Sequence, residues 1–245
     1  LKKGRNYYVD MVRGLMIISM VIYHILYDLV YFFNYKIEFL HGRVAEVWQV
    51  STVIIFLIVS GISLRFYKSY KKRGAYIFAL GFVITIATYL FDSDDYVLFG
   101  ILSLIGASIF IIGLIEKGLL KINKYLGILM FLLLFVVFYN LPSGYLNLGF
   151  TKINVPEFLY SLKYTFIVGL PHAGFSSVDY FPIVPWFFIF VVGFYMGIVV
   201  EEKGYLSPMG KPNILSYIGE RSLIIYLLHQ VVIYAVLFII SKFIT

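Results

Sequence analysis

Several apolar stretches in this chain approach the roughly 20 residues that a helix needs to cross a bilayer, and that property narrows the possible folds more than any other. Inside hydrocarbon, backbone N–H and C=O groups must be paired within the protein, which leaves α-helices or a closed β-barrel. Barrel strands alternate apolar and polar residues, and runs such as 54–62 and 183–200 do not. The expected fold is therefore all-α, a polytopic membrane helical bundle. Seven spans are read, at about 9–33, 44–66, 75–91, 97–115, 125–141, 182–200 and 217–243. The outer connection 142–181 is the one sizeable stretch outside them, and its amphiphilic segment 156–170 is expected to form a re-entrant or interfacial helix. No repeat or second soluble domain is evident, so residues 1–245 are read as a single integral-membrane domain.

Composition agrees. The chain is 61% hydrophobic and only 13% charged, about half the charged share of a soluble domain. The net charge of +7 would point to nucleic acid in a soluble protein. Here the basic residues lie mostly between spans, so topology explains them and no nucleic-acid partner is expected. The absence of cysteine excludes disulfides, thiolate metal sites and a cysteine nucleophile. The first apolar segment is long and contains charges, unlike a cleavable signal peptide.

Lysine and arginine placement orients the chain. With the N-terminus inside, the inner segments hold Lys2, Lys3, Arg5, Arg65, Lys68, Lys71, Lys72, Arg73, Lys117, Lys121, Lys124, Lys203 and Lys211. The outer ones hold Lys36, Arg43, Lys152, Lys163 and Lys242. This positive-inside bias predicts a multi-pass protein of the cell membrane, in contact with membrane lipid, with a cytoplasmic N-terminus and an outer C-terminus.

Four ionisable residues of the first span, Asp10, Arg13, His24 and Asp28, fall within a stripe about 60° wide and about 27 Å long. Each charged group near the bilayer centre costs roughly 2.5–3.5 kcal/mol, so the stripe is expected to line a polar path across the membrane. His24 and Asp28 share a face at i, i+4, and a carboxylate beside an imidazole fixes its tautomer, as a general base requires. A structural pair that merely holds helices together is the competing view. Asp10 and Arg13 fit an intrahelical ion pair, or a phosphate-binding vestibule. Arg65, Lys68, Lys71, Lys72 and Arg73 anchor the inner side, or join Arg13 and Arg221 in cradling a polyphosphate.

Further along, Ser222, Tyr226 and His229 fall within about 60° on the last span, with Gln230 beside them, and form a candidate cavity wall. His41, in the loop after the first span, lies above His24 and is a second candidate for acyl chemistry. Asp179 precedes Pro182, Pro185 and Trp186 at the entry to the sixth span; it either caps that helix or, with Trp186, meets the acceptor. Small residues at Gly74, Gly81, Gly100, Ser103 and Ala107 are expected to serve helix packing alone. No phosphate-binding loop, zinc spacing or Gly-x-Ser-x-Gly elbow is present, and no metal is expected.

Five of these segments, taken in order, resemble one family. They are 8–14 leading to Tyr23 and His24, 55–64 with Ser60, Gly61, Ile62 and Ser63, 99–102, 179–186, and 219–223 leading to His229 and Gln230. Together they are similar to the heparan-α-glucosaminide N-acetyltransferase-like transmembrane acyltransferases and their short bacterial relatives. The resemblance implies an enzyme that moves an acyl group, usually acetyl, from cytoplasmic acyl-CoA to an amine or hydroxyl of a sugar on the far side. It implies that Arg13 and the inner basic residues hold the CoA phosphates and that His24 lies where the acyl group meets its acceptor. From the residues themselves, Asp10 is grouped with the CoA-binding set, and Asp28 is expected to orient the His24 ring while His24 removes the acceptor's proton or briefly carries the acyl group. The lysosomal members carry Asn at the position matching His24 and place their key histidine in the following loop, where His41 is the nearest equivalent. A homodimer is compatible with this picture. The alternative is a proton-coupled small-molecule transporter with Asp10, His24 and Asp28 as its relay; a non-catalytic scaffold is the third class.

Overall fold

The computed structural model describes residues 6–244; Lys2, Lys3 and Arg5 of the inner basic set lie outside the described residues. In chain order the helices are α1 (Tyr7–Tyr31), α2 (Arg43–Ser63), α3 (Tyr70–Phe91), α4 (Ile101–Leu119), α5 (Lys124–Phe138), α6 (Ile183–Glu202), α7 (Ile214–Glu220) and α8 (Ser222–Ile244). Seven of them are long and apolar enough to cross a membrane, and α7 is the short one. The protein is thus a multi-pass helical membrane protein.

The segment 156–170 is not the continuous helix that its pattern suggested. It forms two single 3₁₀ turns, Glu157–Tyr160 and Thr165–Val168, the second ended by Gly169 at φ +97. Ahead of them a hairpin pairs β1 (Tyr145–Asn147) with β2 (Lys152–Asn154), with Tyr145 opposite Asn154. The eighth helix is instead α7, whose N-terminus carries a reciprocal capping box between Asn213 and Ser216. The expected last span 217–243 is broken at Arg221, where the backbone leaves helical geometry between α7 and α8.

The chain divides into two compact units, residues 1–59 with 203–245, and residues 60–202. In the first, α1 is the central element. Asn6 caps it by accepting from the Val9 N–H at 3.2 Å. Gly14 and Gly219 let α1 and α7 touch backbone to backbone: a Cβ on Gly14 would run into the carbonyl of Leu215, and one on Gly219 into that of Asp10. Against the opening half of α2, Ser19 shares a hydroxyl contact with Thr52 at 2.9 Å and accepts from Trp48 Nε1 at 2.8 Å.

In the second unit, α3 and α4 cross at small residues, as their spacing predicts. A Cβ on Gly81 would meet Ser103, and one on Gly74 the backbone of Phe110. Phe190, Phe194 and Tyr195 of α6 are fully buried, and Tyr195 donates its hydroxyl to the Leu119 carbonyl at 2.9 Å. The long connection is pinned by two phenols: Tyr160 donates to Leu141 O at 2.6 Å and Tyr180 to Phe166 O at 2.5 Å. Burial pushes both hydroxyls above the usual tyrosine range, which keeps these donors protonated.

Candidate functional site

The polar groups of the first unit gather where α1 meets α8. On α1, His24 and Asp28 lie one turn apart; on α8, His229 and Gln230 are consecutive. The imidazoles of His24 and His229 meet edge to face, with centroids 4.8 Å apart. Nδ1 of His229 lies 2.6 Å from the carbonyl oxygen of Tyr226. A carbonyl only accepts, so Nδ1 carries the hydrogen and Nε2 is left with its lone pair. That Nε2 is buried and has no hydrogen-bond partner among the described residues. An imidazole with one locked nitrogen and one open basic nitrogen is the form a proton acceptor needs.

Asp28 does not orient His24. Its side chain turns to α8, where the Gln230 amide donates to both of its oxygens at 2.9 and 3.0 Å, and the residue is fully buried. The physical reason lies in the neighbour: an i, i+4 pair on one helix meets only when no better partner is offered from outside, and an amide aimed at both oxygens is the better partner for a buried carboxylate. Gln230 was visible in the sequence as a neighbour of His229 but carried no assigned role.

At the other end of α1, Asp10 and Arg13 form the anticipated i, i+3 ion pair at 2.9 Å. Arg13 also donates to the Gly219 carbonyl at 3.4 Å, two residues before Arg221. Arg221 is only partly buried, with its guanidinium 3.5 Å over the Tyr217 ring. The tight α1–α7 crossing thus gathers two of the expected phosphate-binding arginines at one end of this unit.

In the second unit, Arg65 bonds Glu201 at 2.6 Å and Arg73 stacks 3.6 Å over Tyr67, while Lys68 and Lys72 are exposed. Asp179 does cap a helix, but the helix is α4: its Oδ2 accepts from the Ile101 N–H at 3.2 Å. Trp186 is buried among Phe135, Tyr139 and Phe181. Back in the first unit, Tyr226 stands beside His229 with ring centroids 5.4 Å apart, Ser222 opens α8, and His41 sits exposed against Tyr31 at 5.9 Å.

Seven helices long and apolar enough to span a membrane, with a half-buried histidine pair joining the first to the last, define a polytopic membrane protein. A family model described as heparan-α-glucosaminide N-acetyltransferase, catalytic, matches residues 5–231, and the chain belongs to that family. It is a transmembrane acetyltransferase. Neither the curated proteins nor the solved structures yield a match.

Proposed function

We propose that the protein takes an acyl group, acetyl first of all, from cytoplasmic acyl-CoA and delivers it to an amine or hydroxyl of a sugar on the outer side. The observation that carries this reading is the open, buried Nε2 of His229 beside the ring of His24. The family match spans residues of both compact units, which supports treating 1–245 as one catalytic domain.

In this mechanism the acceptor's nitrogen or oxygen attacks the thioester carbonyl, a C–N or C–O bond forms, and the C–S bond breaks. His24 takes the proton that the nucleophile loses and returns one to the departing thiolate, so no net proton is consumed. His229 acts as a positioning residue: its ring packs edge to face on His24, and its Nε2, unpartnered at rest, is the acceptor that shares the charge once His24 becomes an imidazolium. Asp28, held by the Gln230 amide, serves the α1–α8 contact. Arg13 and Arg221, at the α1–α7 end of the first unit, supply positive charge of the kind CoA phosphates need. In the second unit Lys68, Lys72 and Arg73 add cations, while Arg65 is engaged by Glu201. Asp10 pairs with Arg13. His41, exposed against Tyr31, receives the acceptor, while Tyr226 stands beside His229. The positive-inside bias supports a cytoplasmic N-terminus.

Purified full-length protein, radiolabelled acetyl-CoA and a panel of amino sugars test this reading. Label should pass to a sugar in the wild type and fall at least about a hundredfold in His24→Ala, with His41→Ala weakened chiefly through the acceptor. Failure to consume the thioester with any acceptor, together with failure to bind CoA, would overturn it.

A further inference from the structure

Three tyrosines recur at four-residue steps on α1, and the fold turns them into a continuous run of rings. Tyr31 and Tyr27 stack with centroids 4.2 Å apart, and Tyr27 and Tyr23 stack at 6.5 Å. Trp48 of α2 meets Tyr23 edge-on at 5.5 Å. The outer end is His41, 5.9 Å from Tyr31. The inner end is His24, 6.1 Å from Tyr23 and itself in contact with His229. An unbroken aromatic path therefore joins the two histidines that the sequence singles out separately.

An interfacial aromatic belt does not explain this run. Belt residues sit at headgroup depth, whereas the eight residues from Tyr31 back to Tyr23 descend about 12 Å along the helix. Nor is the wall purely apolar. Trp48 Nε1 is bonded to the Ser19 hydroxyl, Ser19 to Thr52, and the Tyr23 hydroxyl donates to Gln49 at 3.5 Å. The outermost ring is open, since Tyr31 is 51% exposed.

Flat ring faces interleaved with hydroxyls and an amide match the chemistry of a pyranose, which offers C–H bonds on its faces and hydroxyls around its rim. We propose that Tyr23, Tyr27, Tyr31 and Trp48 form the acceptor subsite, on which a sugar ring stacks after entering past His41, with its nucleophile directed to His24. The proposal deepens the acyltransferase reading and rests on it for the direction of the chemistry, while the sugar contact is measurable by itself.

Saturation-transfer NMR on the purified full-length protein provides the test, with methyl glucosaminide as the probe and the open-chain aminopolyol glucamine as its control. Transfer to the ring C–H protons is expected for the pyranoside and not for the open chain. The double variant Tyr27→Leu/Tyr31→Leu should weaken pyranoside binding about tenfold, while Tyr27→Phe/Tyr31→Phe, which keeps the ring faces, should retain it. Equal transfer to both probes, or undiminished pyranoside binding in a folded leucine variant, would overturn the subsite. CoA binding on the same samples separates the two ideas: CoA bound by wild type without pyranoside contact defeats the subsite alone, and absence of CoA binding defeats the acyltransferase reading.

Discussion

The amide of Gln230 donates to both carboxylate oxygens of Asp28, at 2.9 and 3.0 Å, so the buried acid of the first span is held by the last span and not by the histidine one turn away. This contact makes Asp28 part of the clamp that sets His24 opposite His229. A neutral amide partner satisfies the carboxylate without introducing a second charge into the bilayer.

Removing that partner should therefore be expensive. Gln230→Leu leaves a buried acid unpaired and is expected to destabilise the protein by about 3 kcal/mol. Asp28→Asn, which keeps an amide–amide hydrogen bond, should cost much less. Thermal unfolding in detergent compares the two; equal shifts would show that the pairing does not matter.

His229 offers a sharper probe, because its two nitrogens do different things. In His229→Asn the amide N–H stands in for Nδ1 and the open Nε2 is lost. In His229→Gln the longer amide places an acceptor near the Nε2 position. The asparagine variant should lose about a hundredfold in kcat with the KM for acyl-CoA little changed, and the glutamine variant should recover part of that loss. A merely structural histidine would show no such ordering.

How much of this was legible beforehand follows from what a single helix encodes. The spans were readable because apolar length and the bilayer set each other, and the Gly81–Ser103 approach because small residues at helical spacing have one main use in membranes. The angular stripe placed His24 and Asp28 on one face, but a pattern along one helix does not name the partner across the contact. Gln230 and the orientation of His229 therefore emerged only from tertiary packing. The amphiphilic pattern of 156–170 failed for a related reason: its backbone bonds go to 3₁₀ turns and to the Tyr180 phenol, which no periodicity records. The Tyr23, Tyr27, Tyr31 spacing is visible in the sequence, but tyrosines near a span end are ordinarily interfacial, so the run of rings shows only in the fold.

Two glycine substitutions, one in the α1–α7 crossing and one on α4, are predicted to have opposite signs. Gly219→Ala places a methyl group inside the Asp10 carbonyl and should destabilise by about 3 kcal/mol or more. Gly118→Ala on α4 meets nothing within 4 Å, and should stabilise by about 0.5–1 kcal/mol through helix propensity. Unfolding midpoints read both signs.

Sidedness is testable without background, since the chain contains no cysteine. A membrane-impermeant maleimide applied to intact cells should label Ser93→Cys, in the acidic loop between α3 and α4, and spare Lys71→Cys until the membrane is opened. The reverse pattern would invert the proposed topology.

Acyl-CoA affinity should depend on charge and on salt. Lys68→Ala/Lys72→Ala removes two exposed cations and is expected to raise the Kd for CoA several-fold at low ionic strength, with the difference shrinking as salt screens the remaining charges. Titration of CoA at two salt concentrations reads both effects.

Transfer across a sealed membrane joins the chemistry to the topology. Reconstituted vesicles of defined orientation receive acetyl-labelled CoA at the face bearing the N-terminus and an amino sugar at the other. Wild type should deposit label on the sugar behind the membrane, and His24→Ala and His229→Asn should not. Label that stays on the CoA side, or transfer indifferent to both histidines, would contradict a histidine pair that handles the acceptor's proton during acyl transfer.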